Sequence, residues 1–348
     1  SVEIIRVLFL VQNGEFWPAL ASIFEAMKQN DKFQPIILII PTRYSEGVEY
    51  EYKCTDLFNA SVDNVFIYDD FNRVGLDSLS CINPDIIFRQ APWDHLIPDC
   101  FRTNSLKQYR ICYVPYAIHT LEMGNVFYNQ SLHHFAWRLY CDNDYLMNCY
   151  RKYNLMQDIN AKIVGSTKFE YMNYYLNEIS INDWPLTNKS NPARVKILWC
   201  SHHSLESWLG FATLHKNYND VVSFAKHHPD YDIVFRPHPA TKTAFVSNNK
   251  MSEEDYDEFI NNLESLANVY VDTSSEYLYL FQHSDVLVTD GISFLFEYLI
   301  TKKPIIFIDS LTNVGFNDFY KKFEDSWYKI IDINELQNII EKLLDGDD

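Results

Sequence analysis

The chain has 348 residues, 47% of them hydrophobic and 22% charged, which suits two domains with buried cores and excludes a disordered chain. A formal net charge of −18 excludes a general nucleic-acid binder, because neutralising phosphates requires a basic stripe that the sequence lacks. Nine glycines and 13 prolines exclude fibrous and low-complexity architectures.

The first segment, "IRVLFLVQ" (5–12), is a short continuous apolar run, and Leu20, Ile23, Phe24 and Met27 then recur at helical spacing. "FQPIILIIP" (33–41), "DNVFIYDD" (63–70), "PDIIFRQ" (84–90) and "YRICYVPY" (109–116) are further strand candidates. Residues 159–176, "INAKIVGSTKFEYMNYYL", form a closing strand-turn-helix unit. Apolar strands alternating with helices predict a parallel sheet covered on both faces.

The stretch 177–194 is polar, carries prolines and has no periodicity, so it reads as a linker between domains 1–176 and 195–348. The pattern then restarts with strands at 195–201, 231–237, 268–273, 285–290 and 304–309, and helices near 215–228, from 293 and over 333–346. The fold class expected is therefore α/β, with two Rossmann-like domains whose parallel sheets face a central cleft. Ligands in such sheets bind beyond the carboxyl ends of the strands.

Seven cysteines are odd in number, scattered and without a CxxC pair, which reads as free thiols in a reducing cytoplasm. No apolar run reaches the ~18 residues of a membrane span, and no basic amphipathic helix is visible.

Polar motifs sit at the predicted strand ends. "FRPHPA" (235–240) places Arg236 and His238 against prolines, which fix φ and stiffen the loop, and so reads as anion-handling. "ILWCSHHSL" (197–205) places His202, His203 and Ser204 after another strand. In "SDVLVTDGISFLFEYLITKKPIIFID" (284–309) the strand ends in Thr289 and Asp290, Ser293 opens a helix that it can cap, and Glu297 lies one turn further on. Spacing alone also fits a capped helix with a solvent-facing Glu297. Adjacent histidines raise zinc, but no third ligand stands at metal spacing, so no metal is expected. In the first half, "PWDHLIP" (92–98) and "YVPYAIHT" (113–120) each end a candidate strand with a histidine.

These motifs resemble the CDP-glycerol glycerophosphotransferase family, the teichoic-acid polymerase type of GT-B enzyme. Thr289, Asp290, Ser293, Phe296, Glu297, Tyr298, Lys303 and Pro304 fit its strand, T-D-x-x-S, helix and "KP" signature. Gly291 and Ile292 replace residues that in many members bring a hydroxyl. "RPHP" and "SHHS" occupy the places of two further family loops. His119 and Thr120 match a His-Gly-Thr loop without its glycine, and "LHHFAWRLY" (132–140) resembles the helix that follows it, where His133 and His134 pack or cap.

The resemblance implies a cytoplasmic, metal-independent transferase without a cofactor, possible contact with the inner face of the membrane included. It would move a polyol phosphate from a CDP-activated donor to a hydroxyl of a surface glycopolymer or lipid-linked primer. His119 would be the base, with Tyr116 an alternative match. Arg236, His238 and the amides at Ser293 would stabilise the leaving phosphate. His202, His203, Ser204, Thr289, Asp290 and Glu297 would hold the donor, Glu297 by its ribose. Trp93, Asp94, His95 and Tyr116 would line the acceptor groove. Three other readings share this sequence: a GT-B glycosyltransferase using a nucleotide sugar, a nucleotide-sugar epimerase, and a non-catalytic nucleotide- or glycan-binding protein.

Overall fold

The computed structural model describes residues 4–43, 46–54, 58, 64–178, 183–186, 194–274 and 276–346. Most of the stretch read as a linker, 177–194, lies outside them. The chain divides into two compact units, Ser1–Asn173 and Tyr174–Asp348, with the division inside the helix Thr167–Glu178.

In the first unit, strands β1 (Ile5–Val11), β2 (Phe33–Ile39), β3 (Val65–Ile67), β4 (Ile86–Arg89), β5 (Arg110–Tyr113), β6 (Arg138–Cys141) and β7 (Ala161–Ile163) form one sheet. Their order is β3-β2-β1-β4-β5-β6-β7, and every pair is parallel. Parallel strands need crossover connections that cover the faces, so the central strands are buried on both sides. Val7, Phe9 and Val11 pack with Leu20 and Phe24 of the helix Pro18–Lys28, while Leu8 and Leu10 pack in a separate cluster with Ile87, Phe101 and Ile111. Each such side chain contributes ~1.5–3 kcal/mol by leaving water.

The second unit repeats the plan with β8 (Val195–Ser201), β9 (Tyr231–Pro237), β10 (Val269–Val271), β11 (Val286–Thr289), β12 (Ile305–Ile308) and β13 (Tyr328–Ile330). Their order is β10-β9-β8-β11-β12-β13, again all parallel. Strand order reverses between β8 and β11, which makes their carboxyl ends the ligand-binding switch point of this sheet. The expected strands and the long helices appear, among them Leu214–His227.

One local reading is corrected. Residues 132–140 do not continue as a helix: Ser131–Phe135 is a single short helix, Ala136 is extended, and β6 begins at Arg138. The cause is the Asn160 amide, which donates to the carbonyls of His133 and Ala136 (3.3 and 2.7 Å) and so terminates the helix. Strand β13, three residues long, lay below the reach of apolar periodicity.

Candidate functional site

In the second unit the carboxyl ends of β8 and β9 bring three histidine rings together. His203 stacks on His238 with centroids 4.1 Å apart, and His202 lies 4.7 Å from His203 and 5.7 Å from His238. Hydrogen bonds to the main chain fix two of their tautomers. Ala240 N–H donates to His238 Nδ1 at 3.1 Å, so the neutral ring carries its proton on Nε2. Phe211 N–H donates to Ser204 Oγ at 3.0 Å, which leaves the Ser204 hydroxyl proton for His202 Nδ1 at 2.8 Å. Ser204 N–H also donates to that nitrogen at 3.2 Å, so His202 likewise carries Nε2–H.

Burial pushes His238 down to about 3, with the neighbouring His203 and Arg236 adding to the effect. It pushes His202 well below the ordinary histidine range, and His203 in the same direction. The cluster is therefore uncharged at neutral pH and offers oriented N–H donors. Imidazoles this crowded cannot all hold a proton, because like charges and desolvation act together.

Asp290, at the end of β11, ties this arrangement together. Its Oδ1 accepts from His202 N–H at 2.6 Å, and its Oδ2 accepts from the Thr213 N–H and hydroxyl at 2.6 and 2.8 Å. The side chain is 2% exposed, and burial raises it to about 6 even though these three donors pull the other way. Asp290 therefore acts on the histidines from behind. Thr289 is also internal, its hydroxyl accepting Gly291 N–H at 2.8 Å. Ser204 is fully buried. Ser293 does not cap its helix: it is the first residue of Ser293–Glu297, the N-cap position is Ile292, and its own side chain is exposed.

A second cluster adjoins the first. The Arg236 guanidinium forms a buried ion pair with Asp272 at the end of β10, and lies 5.8 and 6.0 Å from the rings of Tyr277 and Phe294. Those rings stack at 4.6 Å, and the Tyr277 hydroxyl donates to Glu297 Oε2 at 2.8 Å. Glu297 is 2% exposed, so its carboxylate is a buried acceptor rather than a solvent-facing one. Asp272, Tyr277 and Thr213 were not singled out from the sequence. An Asp closing an apolar strand, as in "NVYVDT", was the one available signal, the same that marked Asp290.

The first-unit candidates separate into groups. Burial raises the Tyr116 hydroxyl, with a smaller opposing effect from the neighbouring Trp93, and Phe127 lies against Trp93 at 5.1 Å while Phe16 stacks on Tyr116 at 3.8 Å. Asp94 is engaged internally, accepting from the buried Arg89 at 2.8 Å and from the Thr103 N–H and hydroxyl. His95 is exposed. His119 lies 5.5 Å from the Tyr128 ring, and burial lowers it to about 4. His133 is fully buried and is lowered to about 3, first by burial and then by the neighbouring His119, His134 and Arg89. His134 bonds Asn129 at 2.7 Å.

Among the described residues no group of three or more His, Cys, Asp or Glu is placed to hold a metal ion. None of their helices is long and apolar enough to cross a membrane. All seven cysteines are free.

Two parallel α/β units with polar clusters at strand carboxyl ends define a GT-B-like protein, and solved structures agree. S. aureus MnaA in complex with UDP superimposes with a TM-score of 0.58 at 10% identity, covering 98% of this chain and 88% of that one. A putative UDP-N-acetylglucosamine 2-epimerase from Listeria monocytogenes gives 0.59 at 12% identity over the same shares. The wall teichoic acid polymerase TagF gives 0.50 at 13% identity, covering 87% of this chain and 70% of that one. At such identities the likeness is one of fold. No curated protein matches the sequence. Residues 212–311 match the model of the CDP-glycerol:poly(glycerophosphate) glycerophosphotransferase family.

Proposed function

We propose that this protein moves a polyol phosphate from a CDP-activated donor to an acceptor hydroxyl, forming a phosphodiester and releasing CMP. The observation that carries the reading is the convergence of the His202–His203–His238 cluster with Arg236 at one sheet edge, two of these residues lying within the family match. Phosphoryl transfer asks mainly for positioning and for donors aimed where charge gathers. Nε2–H groups on His202 and His238 supply such donors, and Arg236, held by Asp272, supplies the fixed positive charge. The acceptor oxygen bonds to the donor's distal phosphorus as the bond from that phosphorus to the CMP oxygen breaks. Glu297 is the candidate ribose partner, through its buried link to Tyr277. The acceptor is a growing glycopolymer or its lipid-linked primer, met on the first unit, where Trp93 and Tyr116 are candidate groove residues. His119 is unprotonated at neutral pH, although a ring lowered to about 4 is a weak base.

Calorimetric titration with CDP-glycerol, CDP, CMP, UDP and GDP tests the donor. Selective cytidine binding, weakened roughly 10- to 100-fold in His238→Ala and Arg236→Ala, is expected from the loss of a charge-assisted hydrogen bond. Preference for UDP or GDP would move the reading to a nucleotide-sugar enzyme. Binding unchanged in both variants would remove this cluster from the donor site.

A further inference from the structure

In the first unit, the amino ends of β5, β6 and β7 carry apolar side chains that the core does not use. Trp137 stands immediately before β6 and is 41% exposed, and Phe135, two residues earlier, is exposed as well. The turn leading into β7 adds Leu155 at 75%, Met156 at 43% and Ile159 at 78%. The two segments are tied together. The Asn160 amide donates to the carbonyls of His133 and Ala136, Leu139 N–H donates to Asn160 O at 3.0 Å, and Leu155 N–H donates to Asn129 Oδ1 at 2.8 Å. Scattered single apolar residues are ordinary on a surface, but five on two joined segments make a patch that calls for a partner.

Cations border this patch. The guanidinium groups of Arg138 and Arg110 lie 4.8 and 5.9 Å from the centre of the Trp137 ring, and Lys107 is exposed in the loop before β5. Among the described residues, none of these three forms an ion pair with a carboxylate. The neighbouring carboxylates are engaged elsewhere: Asp158 pairs with Arg151 at 2.6 Å, Glu122 with Lys152 at 3.5 Å, and Asp85 accepts Arg6 N–H at 2.8 Å. Uncompensated cations beside exposed Trp, Phe, Leu and Ile stand out in a chain of net charge −18.

The chemistry of the patch selects its partner. A second copy meeting it symmetrically would set the same cations against each other. A dissolved polyanion would satisfy the cations and leave Leu155 and Ile159 in water. Anionic lipid satisfies both: aromatic and aliphatic side chains enter the boundary between headgroups and acyl chains, while Arg and Lys stay level with the phosphates.

We propose that this face docks the first unit on an anionic lipid bilayer. The contact goes beyond the transfer reaction and does not rest on the donor assignment. Since the strands run away from this face, a docked unit holds their carboxyl ends, which lead to Trp93 and Tyr116, toward the water.

The test is cosedimentation of the full chain with vesicles of phosphatidylglycerol and phosphatidylcholine in equal parts, and with phosphatidylcholine alone. Wild type is expected to bind the mixed vesicles and to bind the neutral ones at least about ten-fold more weakly, because each cation near an anionic surface contributes about five-fold. Arg110→Gln with Arg138→Gln should weaken binding to the mixed vesicles about 30-fold, and Arg110→Lys with Arg138→Lys should largely restore it. Leu155→Gln with Ile159→Gln should weaken it at least about ten-fold. These are surface positions, so the unfolding midpoints should match wild type. Absence of wild-type binding to the mixed vesicles, or full binding by either glutamine pair, overturns the proposal. A wild type that sediments as a dimer without vesicles, and as a monomer once Leu155 and Ile159 are replaced, would assign the face to a second copy and overturn it too.

Discussion

Removing one partner of the Arg236–Asp272 pair perturbs the second unit where charge and burial are most tightly linked. The two side chains are 8% and 1% exposed, so Asp272→Ala leaves a guanidinium in a space that water does not reach. Breaking a buried pair from one side costs ~3–5 kcal/mol. The rings of Tyr277 and Phe294 lie within about 6 Å of Arg236 in wild type as well, so their cation–π attraction does not offset this loss. Ser274 adds a smaller loss, since its hydroxyl donates to Asp272 Oδ1 at 2.8 Å. The expected net cost is therefore ~3–5 kcal/mol, which for a unit of this size lowers Tm by roughly 6–20 °C. The pair Arg236→Met with Asp272→Leu removes both charges and keeps an apolar filling, so it should return to within ~1 kcal/mol of wild type while losing nucleotide binding. Urea unfolding followed by tryptophan fluorescence measures both. A cost below ~1 kcal/mol for Asp272→Ala, or a double variant as unstable as the single one, would refute the argument that burial sets the energy of this pair.

Other perturbations have expected outcomes of the same kind. The folded carboxyl of Asp290, at about 6, lies above its ordinary 3.8, so folding takes up a proton between those values. Its stabilising contribution is complete below the lower value and is lost as pH rises through the higher, by up to ~3 kcal/mol. The wild-type minus Asp290→Asn difference in unfolding free energy should therefore fall from pH 4 to 7, and a flat difference would show an unshifted carboxyl. His238 behaves oppositely: a ring lowered to about 3 contributes stability at neutral pH that is lost on acidification below about 6.5, so His238→Gln should unfold less steeply with acid. Gly210 has φ +64°, and an added Cβ would stand 2.8 Å from the Thr312 carbonyl oxygen. Gly210→Ala should cost roughly 2–4 kcal/mol in thermal unfolding, and a neutral result would mean that the 309–315 loop yields. Tyr277→Phe removes the donor to a buried Glu297 and should cost ~1–3 kcal/mol, checked by the same melt.

The two sheets were legible because strands buried on both faces read as unbroken apolar runs, and β1, β2, β8 and β9 are each seven residues long. Strand β6 was missed because "RLYC" is four residues in which two half-exposed side chains interrupt the run, and because the stretch 132–140 resembles a helix of the family. At the candidate site, His202, His203, Arg236 and His238 stood out because polar residues at the end of an apolar strand are conspicuous. What these residues lean on was not conspicuous. Asp272 is 36 positions from Arg236 and Thr213 is 77 from Asp290, and sequence spacing carries no trace of a pairing made through the sheet. Asp290, Thr289 and Ser204 read as ligand groups from the sequence, although Asp290 bonds the backbone at His202 and Thr213, Thr289 bonds its own turn at Gly291, and Ser204 bonds within its own segment at His202 and Phe211.

The Asp290 carboxylate also bears on how this edge could be exchanged between proteins. It fastens the backbone at His202 to the backbone at Thr213, and the segment between them closes on itself through Ser204. A chimera that imported only the "SHHS" loop would arrive without its anchors, and its rings would settle at a new angle. Residues 202–213 must travel with position 290, so the transplantable piece is a two-part cassette discontinuous in the chain.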